Sequence, residues 1–105
     1  MAIKALADGQ LASSKGTLYT VPTSTSAIVR SIILVNTDTV SRAVNLYAKP
    51  GSTSRRLISK DLVLGAGENL VFDTPITLEE GDLIEGDAAA ATVVDFIISG
   101  AEETA

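Results

Sequence analysis

Residues that favour turns interrupt this chain about every 8–12 positions, and between them apolar residues recur at every second position. That spacing constrains the fold more than any other feature. A side chain returns to one face of a strand every two residues and to one face of a helix every 3.6, and no segment here sustains the longer period.

The segments can be read in order. Thr17–Val21 is a short β-rich run stopped by Pro22, and Thr23-Ser24-Thr25-Ser26 is a polar turn into the longest strand, Ala27–Thr37. In Ala43–Ala48, Val44, Leu46 and Ala48 share one face; Lys49–Ser54 then breaks the chain. Extended structure resumes over Arg56–Leu64. Gly65-Ala66-Gly67 turns it into Glu68–Asp73 as a hairpin, with Leu70 and Phe72 on one face. Ile76–Leu78 is a short edge strand, Glu79-Glu80-Gly81-Asp82 a turn, and Leu83–Glu85 a further strand. Thr92–Ser99 closes the series with Val94, Phe96 and Ile98 inward, and the alanine run Ala88–Ala91 is too short to hold a helix.

The expectation is an all-β protein, an antiparallel β-sandwich of about eight or nine short strands, jelly-roll or immunoglobulin-like. Residues 17–100 form the sandwich. Residues 1–16 are an N-terminal arm anchored by Ile3, Leu6 and Leu11, or else an ordinary first strand; residues 101–105 are a flexible tail. The core is aliphatic, because the only rings are Tyr19, Tyr47, Phe72 and Phe96. With no cysteine in the chain, packing and hydrogen bonds alone hold the fold. The N-terminus lacks the apolar stretch of a signal peptide, and Ile32–Val35 is far too short to span a bilayer. A protein made in the cytoplasm, with no membrane partner, is expected.

Charge is unevenly placed. Residues 1–60 carry all eight Lys and Arg against only Asp8 and Asp38, whereas residues 61–105 carry eleven acids and no base. Interleaved strands would let these opposite charges meet across the sheets. Alternatively, Lys49, Arg55, Arg56 and Lys60 form a basic patch facing one partner while Glu79, Glu80 and Asp82 face elsewhere. Nucleic acid is a poor partner for a domain of pI near 4.5.

Catalysis is excluded mainly by subtraction. Without His or Cys, neither Ser-His-acid nor Cys-His chemistry is possible and the commonest zinc ligands are missing. Ser14-Lys15 and Ser59-Lys60 are adjacent pairs, which an extended strand points to opposite faces. The carboxylates Glu79, Glu80, Asp82, Glu85 and Asp87 do not follow the spacing of a calcium loop, and the aromatics that line a sugar cleft are scarce. Gly65-Ala66-Gly67 is not continued into a phosphate-binding loop. Tyr47 is the tyrosine expected to be exposed. No enzyme activity, cofactor or metal is expected.

Three stretches carry a resemblance: Thr17-Leu-Tyr-Thr-Val-Pro22; Ala27-Ile-Val-Arg-Ser-Ile-Ile-Leu-Val-Asn-Thr37; and Val44-Asn-Leu-Tyr-Ala-Lys-Pro-Gly51. So do Arg56–Glu68, with its Ala-Gly-Glu turn, and Ile76-Thr-Leu-Glu-Glu-Gly-Asp-Leu-Ile-Glu-Gly86. Together they resemble small β-sandwich virion proteins of tailed bacteriophages. The resemblance implies a jelly-roll or immunoglobulin-like sandwich in the virion and a homo-oligomer, with a trimer favoured. It implies a head decoration (cement) protein on the outside of the major capsid lattice; the alternative is a tail- or fibre-associated module that binds a host surface ligand or another tail protein. It transfers no catalytic residue.

Overall fold

The chain folds as one long antiparallel ribbon rolled into two sheets. The structure, a computed structural model, describes residues 2–104. Its strands are β1 (Lys4–Gln10), β2 (Gly16–Thr20), β3 (Thr25–Asn36), β4 (Arg42–Lys49), β5 (Arg55–Arg56), β6 (Leu62–Leu64), β7 (Asn69–Phe72), β8 (Ile76–Leu78), β9 (Leu83–Ala88) and β10 (Val94–Thr104). β1 pairs with β10, β2 with β9, β3 with β8 and β7, and β4 with β6 and β5. From Lys4 opposite Gly100 to Tyr47 opposite Arg56, the two residue numbers of every such pair add to nearly the same value. The ribbon therefore has its tip in the turn-rich segment 50–54.

Two further pairings, β10 with β3 and β9 with β4, roll this ribbon up. One sheet has the order β1-β10-β3 with β7 and β8 sharing the last position; the other has β2-β9-β4 with β5 and β6 sharing its last position. Counting each shared position once gives eight strands, wound as a jelly roll. Consecutive strands mostly alternate between sheets, which distinguishes it from an immunoglobulin fold.

The alternation read from the sequence places the core. Val29, Ile32, Leu34, Val44, Leu46, Ile84, Val94 and Ile98 are all buried between the sheets, joined by Leu11, Val21 and Leu78. Three strands keep this phase only by accepting a bulge. In β3, Ser31 lies opposite Ser99 but Val29 lies opposite Gly100, so Arg30 is an extra residue. That insertion lets Ala27 and Val29 point inward along with Ile32 and Leu34. Leu6 in β1 and Leu18 in β2 are extra residues of the same kind. At the β3 bulge the strands come so close that a Cβ on Gly100 would collide with the Ile28 carbonyl.

Several expectations change. The N-terminal segment is a first strand of its own sandwich: Leu11 is buried, Leu6 packs against the core and Ile3 is exposed. Residues 101–104 are no tail, because β10 continues to Thr104 and buries Ala101; Ala105 lies outside the described residues. The stretch 56–64 is interrupted at residues 57–61, where Asp61 adopts a φ of 52°. Gly65-Ala66-Gly67 turns the chain, yet not as a hairpin, since β6 and β7 belong to opposite sheets. The connection spans the sandwich instead.

Buried Asn36 holds that crossover. Its amide reaches the carbonyls of Val40 (2.9 Å), Leu64 (3.1 Å) and Gly65 (3.1 Å), and its Oδ1 accepts the Asp38 N–H at 3.0 Å. A polar side chain with no solvent exposure persists here because four backbone groups, three of them in loops and one at the end of β6, need it.

Candidate contact surfaces

The outer face of the β2-β9-β4 sheet carries a closed polar network. In β4, Asn45 and Tyr47 alternate with the inward Val44, Leu46 and Ala48; in β9, Glu85 and Asp87 alternate with Ile84, Gly86 and Ala88. Register sets Asn45 opposite Asp87, and Tyr47 between Glu85 and Arg56. The Asn45 amide donates to Asp87 (2.8 Å) and Asp61 (3.0 Å), and its Oδ1 accepts from the Arg56 guanidinium (2.6 Å) and the Asp61 N–H (2.9 Å). Every donor and acceptor of that side chain is used.

Tyr47 is buried, contrary to the expectation. It points out of the sandwich, but the Lys15 ammonium lies 4.2 Å and the Arg56 guanidinium 4.9 Å from its ring centroid, both as cation–π contacts. Burial, reinforced by the Asp87 carboxylate, raises the pKa of its hydroxyl. Lys15 also pairs with Glu85 at 3.8 Å, and Ser54 donates to the same Glu85 at 2.8 Å. The ring is thus unavailable as a stacking platform.

A second link joins the two sheets. The Tyr19 hydroxyl of β2 donates to Glu102 of β10, which also pairs with Lys4 of β1 at 3.3 Å. The hydrogen bond from Tyr19 is the main cause lowering the Glu102 pKa, while burial and that same carboxylate push the Tyr19 hydroxyl well up.

The candidate contact residues do not form two opposed patches. The acidic loop 79–82 is a tie for its own end of the sandwich. Asp82 accepts the N–H groups of Gly51 (3.1 Å) and Glu79 (2.9 Å), and Glu80 accepts that of Ser24. Lys49 lies opposite Leu83, beside this loop, so it is not on a separate face. A shallow cleft of about 250 Å³ there is lined by Ser24, Thr25, Ser26, Glu79 and Glu80. Arg56 belongs to the Asn45 network. Arg55 and Lys60 are exposed and, among the described residues, enter no ion pair or side-chain hydrogen bond.

The charge split follows from the ribbon. The change of sign near residue 60 falls just past the tip, so the basic early strands lie against the acidic late ones: Lys4 meets Glu102, and Lys15 meets Glu85. Glu85 and Asp87 belong to the sheet face while Glu80 and Asp82 bind loop amides, so the acidic run does not converge on one cleft. Among the described residues, no three metal-ligating side chains gather.

The polar groups turn inward on one another; exposed apolar groups do not. On the outer face of the other sheet, Asp8, Ile97, Ile33 and Val71 lie side by side across β1, β10, β3 and β7. Ile97 and Val71 are 46% and 51% exposed, which makes this an apolar row open to solvent. Periodicity could have located it, since these residues occupy the outward phase of strands whose inward phase is also apolar. Compared with known protein families the chain matches none, and among curated proteins it has no match.

Proposed function

We propose that this chain is a structural component of a bacteriophage virion, a head decoration protein that docks on the outside of the capsid lattice and braces it. The observation that carries a docking role is the in-register row Ile97, Ile33 and Val71. A contiguous apolar strip on a small domain is a feature of interaction surfaces, whereas single exposed apolar residues are ordinary. A jelly roll locked by the Asn36 and Asn45 networks suits a part that bears load without changing shape. The phage assignment rests on the sequence resemblance described above.

The alternative is a tail- or fibre-associated module that binds a host surface ligand or another tail protein; a glycan as that ligand draws less support, because Lys15 and Arg56 cover the outward ring of Tyr47. Cryo-electron microscopy of particles bearing the chain tests the proposal. Density over the capsid lattice is expected, and lost when Ile97→Glu and Val71→Glu are combined; density confined to the tail overturns it.

A further inference from the structure

The face that carries the apolar row is also acidic. Val94, Phe96 and Ile98 of β10 point inward, as does Glu102, which meets Tyr19 of the other sheet. The outward positions of the strand therefore begin with Asp95 and Ile97 and end with Glu103, and register sets Asp8 of β1 beside Ile97. Asp95 and Glu103 lie eight positions apart, about 26 Å at the usual strand rise, with the row between them.

These acids are not neutralised. Asp8, Asp95 and Glu103 are exposed and, among the described residues, enter no ion pair; Asp95 accepts the Gln10 amide at 3.0 Å. The one exposed base in β3, β7 and β10 is Arg30, the extra residue of the β3 bulge, and Lys4 of β1 is bound to Glu102. On the other sheet Lys15 offsets Glu85, and the unpaired Lys49, Arg55 and Lys60 lie on β4, β5 and the segment after β5. Folding thus leaves an aliphatic centre with an acidic rim on one outer face alone.

That rim selects what can cover the row. A second copy laid face to face would set these carboxylates against their own kind, and the phosphates of nucleic acid or anionic lipid would meet the same repulsion. We infer that the occupant is a protein surface of the converse pattern, an aliphatic patch rimmed by Lys or Arg. The inference rests on the docking reading above and deepens it by naming the chemistry of the partner. The row supplies the apolar contact, and the rim sets register and rejects acidic surfaces.

The test is an NMR titration of the full-length chain, at low ionic strength, with two end-blocked heptapeptides. Both have an Ile-Val-Ile centre; one carries two lysines at each end and the other two glutamates. The lysine peptide should shift the amides of Ile97, Ile33 and Val71 and bind roughly tenfold or more tighter than the glutamate peptide, with the difference shrinking as salt is added. Combining Asp8→Lys, Asp95→Lys and Glu103→Lys should reverse the preference. Asp8→Lys alone, at a side chain bonded to nothing in the fold, should weaken lysine-peptide binding while the rest of the spectrum stays in place. Ile97→Ser should weaken binding of the lysine peptide with no change of charge. Equal binding of the two peptides, or no shift at the row at the highest soluble concentration of the lysine peptide, overturns the inference. So does a preference unmoved in the folded Asp8→Lys variant. The capsid reading fails separately: a chain that selects the lysine peptide but is missing from capsids sinks only the capsid role, and capsid docking by a chain indifferent to peptide charge sinks only the cationic partner.

Discussion

Asn45 and Asp87 face each other on β4 and β9, and the Asn45 amide donates to the Asp87 carboxylate at 2.8 Å while its oxygen holds the Arg56 guanidinium at 2.6 Å. One amide side chain thereby joins a base and two acids on the outer face of a sheet.

Asn45→Ala should lower stability by about 2–3 kcal/mol, since it leaves several partly buried polar groups without a partner. Asn45→Asp should be worse at neutral pH, where a third carboxylate would stand between Asp61 and Asp87, and should recover part of the loss in acid. Urea denaturation at two pH values checks both; a small loss that is equal at each pH would refute the network's role.

Adjacent arginines should behave differently. Arg56→Glu should destabilise the isolated domain by about 1–3 kcal/mol, because the guanidinium is bonded to Asn45 and stacked on Tyr47. Arg55→Glu should leave the melting temperature of the monomer nearly unchanged. Thermal melts of the two variants side by side give the comparison.

Gly100→Ala should cost about 3 kcal/mol or more, because the new methyl meets the Ile28 backbone and no rotamer can relieve it. Gly51→Ala should cost only about 1 kcal/mol, for the left-handed φ of 84° at a site otherwise open. Chemical denaturation that finds the two equal would show that the bulge can open without penalty.

The Tyr19–Glu102 link should make stability depend on pH at both ends. Glu102 has a lowered pKa in the folded state, so its contribution is present above the unfolded value near 4.3 and is lost as pH falls through the folded one. Tyr19 has a raised pKa, so its contribution is present below the unfolded value near 10 and fades as pH climbs above it. Glu102→Gln should therefore flatten the acid limb of a stability profile, and Tyr19→Phe the alkaline limb. Profiles of either variant parallel to the wild type would contradict the assignment.

Asn36 should tolerate replacement least among the polar residues. Asn36→Leu keeps the branched outline but strands the carbonyls of Val40, Leu64 and Gly65 and the Asp38 N–H, at a cost of about 3 kcal/mol or more. Denaturant titration measures it, and amide exchange should show the 37–41 and 65–68 loops opening first.

The sequence by itself determined that the chain is all-β, where most of its strands lie, which face of several is buried, and that the core is aliphatic. These properties depend on residues two positions apart and on turn-formers between runs, and so they are written locally: Val94, Phe96 and Ile98 point inward as their alternation requires. Only the tertiary structure decided that Gly65–Gly67 leads to the opposite sheet, that β10 runs on through residues 101–104, and that Tyr47 is roofed by two cations. It also decided the meaning of the charge split. Lys4 and Glu102 stand at opposite ends of the chain and meet only because the ribbon closes on itself, and Arg55 and Arg56 part company only because Asn45 lies within reach of one of them. Periodicity reports which way a side chain faces; which neighbour it meets there depends on strand order and register, and those are set by pairing between distant parts of the chain.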